Sequence, residues 1–181
     1  MIDFEKLGTE LAALPLYFCD FIDPQAIEFT SRVRWICENE CPMYGKTWAC
    51  PPGVGAVCDC ERLCKGYTNC LLISTIAEVS DISSIEETLA TRPGHEAITN
   101  EVAALLRAHG LDPYVLSTEA CTHCERCSYL DGQPCRHPEL MHPCVESHGI
   151  NILPVIDELG LTFQYGENVV TWFSLLFFQE E

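Results

Sequence analysis

Positive charge is scarce in this chain. Its 181 residues hold 10 Lys and Arg against 27 Asp and Glu, a formal charge of −17. A phosphate backbone demands a basic footprint, so nucleic acid is not an expected partner. An anionic membrane surface would repel the chain for the same reason. Long apolar runs are also missing: the most apolar stretch, Val169 to Phe178, is too short to span a bilayer. The first residues include Asp3 and Glu5, the apolar stretch Leu11 to Phe18 is broken by Pro15, and no small-residue cleavage site follows. Export is therefore not expected, and a cytoplasmic location is. No Ser-His-Asp order, phosphate-cradling glycine loop or nucleotide fingerprint is present, so the common hydrolase and nucleotide-binding classes find no support.

What is there is enough apolar material for a core. Hydrophobic residues make up 48% and mean hydropathy is +0.08, so the chain does not depend on covalent staples alone. The length suits a single domain over residues 1–181. A short amphipathic helix is expected first, then an extended piece around Leu16 to Ile22. Asp23-Pro24 reads as a helix start, with Ala26, Ile27, Val33 and Ile36 as its stripe. Cys70 to Ala77 reads as a buried strand. Helices are expected over Ser80 to Leu89 and Gly94 to His109, with Gly110 as the stop, and then a strand over Pro113 to Thr118. Leu161 to Tyr165 and Val169 to Phe178 read as a terminal hairpin around Gly166-Glu167-Asn168. The class implied is α/β or α+β: a layered sheet core with helices and two inserted cysteine-rich loops, 37–66 and 119–144.

The chain has 13 cysteines. In a reducing compartment, clustered cysteines are metal ligands more often than disulfides, and an odd count leaves a thiol unpaired. The sharper group is Cys121-x2-Cys124-x2-Cys127-x7-Cys135. Three thiols at intervals of three residues converge from a tight turn, whose N–H groups can point at the sulfurs. Such runs grip iron–sulfur clusters, with the fourth cysteine arriving from further along. Zinc sites more often pair two CxxC knuckles at a longer separation. His123 and His137 lie in this loop and are not counted as ligands.

The first group along the chain is less regular: Cys37-x3-Cys41-x8-Cys50-Pro51-Pro52, followed by Cys58, Cys60 and Cys64. Proline after a ligand removes an N–H and restricts the backbone, presenting the thiolate from an extended corner. Any one of Cys58, Cys60 and Cys64 can complete a four-thiolate set. Cys60 and Cys64 are four apart and share a face if helical. A structural zinc site or buried free thiols are the competing readings here. Cys19, Cys70 and Cys144 stand apart from both groups, the first two in strand-like apolar surroundings.

These residues resemble a known family. Cys37-x3-Cys41, Trp48-Ala-Cys50-Pro-Pro-Gly-Val-Gly and Cys60-Glu-Arg-Leu-Cys64 with Tyr67 are similar to the first half of the metal-binding proteins catalogued as domain of unknown function 2284. Glu119-Ala-Cys121-x2-Cys124-x2-Cys127, Cys135-Arg-His-Pro, Pro143, Glu146 and Gly149-Ile150 are similar to its second half. The resemblance spans roughly residues 30–160. It implies metal binding, as iron–sulfur clusters in proteins typical of anaerobes, and no established reaction. It implies Cys37, Cys41, Cys50 and Cys60 in one site, with Cys64 a second candidate, and Cys121, Cys124, Cys127 and Cys135 in the other. Cys144 stands where the family more often carries a small hydroxyl residue, and Cys58 is additional.

The leading expectation is an iron–sulfur protein with two 4Fe-4S clusters that exchanges electrons with a redox partner protein. A first alternative is an iron–sulfur enzyme whose first cluster is held by three cysteines and leaves one iron open to a small molecule. Glu38, Glu40, Tyr44 and Lys46 are then the nearby acid–base candidates. A second alternative is a zinc-stabilised protein-interaction module.

Overall fold

The computed structural model describes residues 3–163 and 165–180. Asp3 caps helix α1 (Phe4–Leu11) by accepting the Lys6 N–H at 3.0 Å, and the helix buries Leu7 and Leu11. Strand β1 (Phe18–Ile22) follows. Asp23-Pro24 opens only one 3-10 turn, Pro24–Ala26, after which the chain extends into the short β2 (Glu28–Phe29). Helix α2 (Ser31–Asn39) therefore starts later than the apolar stripe suggests. Thr30 sets that start, its hydroxyl accepting the Arg32 N–H. Segment 37–66, expected as loop throughout, contains helix α3 (Val57–Lys65). Asp59 in its first turn and Arg62 and Lys65 in its last suit the helix dipole.

Strand β3 (Asn69–Glu78) contains the run read as buried. The two helices expected after it are one, α4 (Ile85–Ala108), which continues through Pro93. Strand β4 (Tyr114–Leu116), β5 (Ile150–Asn151), helix α5 (Leu153–Glu158) and strand β6 (Val169–Phe178) complete the order. The terminal hairpin is not formed: among the described residues of 161–165, none is in a strand. Position 164 of that expected strand lies outside the described residues. Instead β6 pairs along its whole length with β3, from Asn69↔Phe178 to Glu78↔Val169.

The main sheet has the order β1-β3-β6-β4, and every pairing is antiparallel. Because β3 and β4 both run antiparallel to β6, they are parallel to each other. The expected crossover through α4 thus exists, with β6 inserted between its two strands. The class is α+β.

Alternation along β3 sorts its side chains to two buried faces. Leu71 and Ile73 face α1 and α4, packing with Leu7, Val102, Leu106 and Leu176. Cys70 and Leu72 face the opposite way, onto Ile27, Cys64, Ile150, Ile156 and Phe177. Burying such a side chain contributes about 1.5–3 kcal/mol each. The sheet is therefore the middle of three layers, with helix α3 of the first cysteine-rich segment on the side away from α1 and α4, while the second segment is tied to α4 through Arg92. Among the described residues, no helix is long and apolar enough to cross a membrane.

Candidate metal centre

Segment 119–127 has no regular helix or strand. It is held by neighbours instead. Arg92 on α4 donates to the Thr118 carbonyl at 3.1 Å and to the Thr122 hydroxyl at 3.4 Å, between Cys121 and Cys124. A 3-10 turn, Ser128–Asp131, begins directly after Cys127 and ends at Gly132, whose φ of 64° is the left-handed conformation glycine tolerates. The Ser128 hydroxyl closes the turn onto the Pro134 carbonyl at 2.8 Å, which brings Cys135 back toward the other three. Trp48 reaches across from the first cysteine segment. Its indole N–H donates to the Gln133 carbonyl at 2.9 Å, and its ring meets Tyr129 edge-on at 4.9 Å.

The result is one enclosed pocket lined by Cys121, Cys124, Cys127 and Cys135, with His123 and His137 also in its wall. Burial pushes the Cys121 thiol up, while the His123 backbone N–H, directed at its sulfur, acts the other way. Four convergent thiols with an N–H aimed at sulfur fit the donor set of a cluster. Among the described residues, no three His, Cys, Asp or Glu side chains are grouped tightly enough to hold a single metal ion.

The first group divides. Cys37, in the last turn of α2, and the exposed Cys41 line a second pocket of about 390 Å³. Cys144 lines it too. Phe173, Trp172 and Ile152 give it an apolar floor, and Glu119 and Glu146 give it acidic side chains. Glu119 is the one non-glycine residue with positive φ (58°) among the described residues, a conformation that turns the chain from the end of β4 into the cysteine loop. Burial pushes the Cys37 thiol up to about 11, with Cys41 and Glu146 adding to the effect and Arg34 opposing it. Cys50 is buried and interacts electrostatically with both Cys41 and Cys121, so it stands at the seam between the two groups. Gly53 seals its loop: a Cβ there would meet the Thr47 carbonyl at 2.9 Å and the Cys50 carbonyl at 3.0 Å.

The α3 cysteines are placed elsewhere. Cys64 is fully buried in the apolar cluster with Ile27, Cys70 and Leu72, and burial pushes its thiol up to about 12. Cys60 is 2% exposed; its thiol donates to the Val54 carbonyl at 3.4 Å and receives an Arg34 N–H at 3.7 Å. Neither lines the pocket of Cys37 and Cys41. Their helical spacing puts both on the buried face of α3. Cys58 is exposed on the other side of α3. Cys144, set apart on spacing, is the cysteine that the fold brings to Cys37 and Cys41.

The sequence of residues 20–178 matches a family described as predicted metal-binding protein, DUF2284. The chain belongs to this family. In this DUF2284 protein the matched region takes in both cysteine groups, the whole main sheet apart from the first strand's leading residues, and all helices after α1. No curated protein and no solved structure matches it.

Proposed function

We propose that this metal-binding protein carries two 4Fe-4S clusters, one per cysteine group, and exchanges single electrons with a redox partner protein. The observation that carries this reading is the seam. Cys50 of the first group lies within electrostatic reach of Cys121 of the second, and Trp48, two residues before Cys50, packs into the second loop. Such clusters, when bound, supply one-electron oxidation and reduction. The chain's residues would hold each set of thiolates and offset their charge. Arg34 lies beneath Cys37, and N–H groups are directed at Cys121 and Cys144. A formal charge of −17 favours a partner with a basic docking face, whose association would slow as salt rises. A reducing, cytoplasmic setting suits 13 cysteines that form no disulfide.

A second reading, an enzyme acting on a small molecule, is favoured by the roughly 390 Å³ pocket beside Cys37 and Cys41. It requires a first centre held by only three thiolates.

The deciding experiment is anaerobic purification with iron, acid-labile sulfide and zinc counted per chain. About eight irons and eight sulfides are expected. Zinc without sulfide would end the electron-transfer reading and leave a zinc-stabilised interaction module.

A further inference from the structure

We propose that Cys144 supplies the fourth thiolate of the first metal centre, together with Cys37, Cys41 and Cys50, and that Cys60 and Cys64 do not ligate. This rests on the two-centre reading above and names the residues of one centre.

The placement is built by three tertiary ties. The end of β4 holds the segment: Ser117 bridges to Cys144, its N–H donating to the Pro143 carbonyl at 2.8 Å and its carbonyl accepting from Val145 at 3.1 Å. Next, α2 packs against the 3-10 turn Glu146–His148, and the Cys37 sulfur approaches the Glu146 carbonyl at 3.8 Å. Gly149 then fixes the turn against the start of α2. Its φ is 76°, a Cβ there would meet the Thr30 carbonyl at 3.0 Å, and its own carbonyl accepts the Thr30 N–H at 2.7 Å. Cys144 is thereby carried to the wall that Cys37 and Cys41 share, and it interacts electrostatically with Cys37 and Cys50.

The Ser147 backbone N–H points at the Cys144 sulfur at 3.3 Å. A donor aimed at sulfur stabilises a thiolate, as a metal ligand requires. The Cys60 sulfur also receives an N–H, from Arg34 at 3.7 Å, and its thiol donates to a carbonyl as that of Cys37 does; what separates it is its place off the wall shared by Cys37, Cys41 and Cys144, while Cys64 is surrounded by apolar side chains. Moving Cys64 to that pocket would withdraw it from the core cluster it shares with Cys70 and Leu72.

The test compares wild type with Cys144→Ser, Cys60→Ser and Cys64→Ser, all purified without oxygen, counting metal and sulfide per chain and recording the reduced paramagnetic spectrum. Cys144→Ser is expected to lose or convert one centre while the other keeps its signal. Cys60→Ser and Cys64→Ser are expected to keep both. Full metal and an unchanged spectrum in Cys144→Ser overturn the proposal, and so does loss of one centre in Cys60→Ser or Cys64→Ser alone. Should Cys144→Ser not fold, alkylation of the unmutated protein decides the matter, before and after metal is stripped under conditions that leave Cys70 protected. Cys144 should become reactive together with Cys37, Cys41 and Cys50; labelling before stripping overturns the assignment. The identity of the wild-type metal tests the electron-transfer reading separately, because the ligand set is read in the same way for iron or zinc.

Discussion

Arg34 is 6% exposed, a guanidinium in the layer beneath the sheet. Its Nη1 donates to the Gly55 carbonyl at 2.8 Å and its Nη2 to the Cys60 sulfur at 3.7 Å, while Nε finds no hydrogen-bond partner among the described residues. A buried cation so thinly satisfied is costly unless negative charge lies nearby. Thiolates at Cys37 and its neighbours would provide it. Arg34→Met removes the donor to a part-buried carbonyl, and an expected loss of about 1–3 kcal/mol follows. A urea unfolding midpoint unchanged from wild type would contradict this. Cys144 shows why single residues defeat a linear reading. Its distance from Cys37 along the chain is closed only by Ser117, Gly149 and Thr30 acting together, and no local spacing encodes that. Cys60 and Cys64 show the converse ambiguity: a spacing of four is as good for filling a core as for gripping a metal.

Helix α4 is the element where local rules and packing part company. Pro93 removes the N–H that would bond the Leu89 carbonyl, which is why two helices are the natural reading. The anchors on either side of Pro93 keep the helix whole. Arg92 holds Thr118, and Glu96 accepts the Ser117 hydroxyl at 2.7 Å, while His95 bonds Thr75 at 2.8 Å and Ser174 at 2.7 Å. Tertiary bonds on both sides outweigh a single missing ladder bond. Pro93→Ala should therefore restore that bond without moving the helix, and stabilise the protein by about 1–2 kcal/mol after the unfolded-state entropy is discounted. Thermal unfolding checks this, and a lowered midpoint would mean that the proline shapes the helix. Strand β3 was legible because both its faces are buried and its apolar run is continuous. Strand β6 was equally legible as a strand. Its partner was not, because pairing with β3 joins residues from 91 (Glu78↔Val169) to 109 (Asn69↔Phe178) positions apart.

At the scale of the molecule, three buried titratable groups act in one direction. Burial lowers His95 to about 4 and His148 to about 3, each against an ordinary 6.5. Burial opposes ionisation of Glu96, but His142, the Ser117 hydroxyl and Arg92 outweigh it and hold the carboxyl at about 2. The histidines are buried neutral, so the unfolded chain takes up protons first as pH falls below 6.5. Their contribution is complete above that pH and declines toward 4 and 3. The Glu96 contribution is present above about 4.5 and is lost as pH falls toward 2. Each group costs at most about 1.4 kcal/mol per pH unit inside its window. The melting midpoint should thus fall from pH 7 to pH 4.5, with a shallower slope in His95→Gln. A flat profile would show that these groups are not buried as described.

The order of the sheet also bears on how the protein is made. The strand β6, inside the sheet, is the last of the described strands to leave the ribosome, and until then β4 has no strand partner and β3 has only β1. Every cysteine is already synthesised by that moment, and the layer that positions Cys37, Cys50 and Cys144 has nothing complete to rest on. During translation the thiols are thus displayed on an unfinished scaffold, open to oxidants and to stray metal. Delivery of the proper metal would then be timed to the arrival of the final strand.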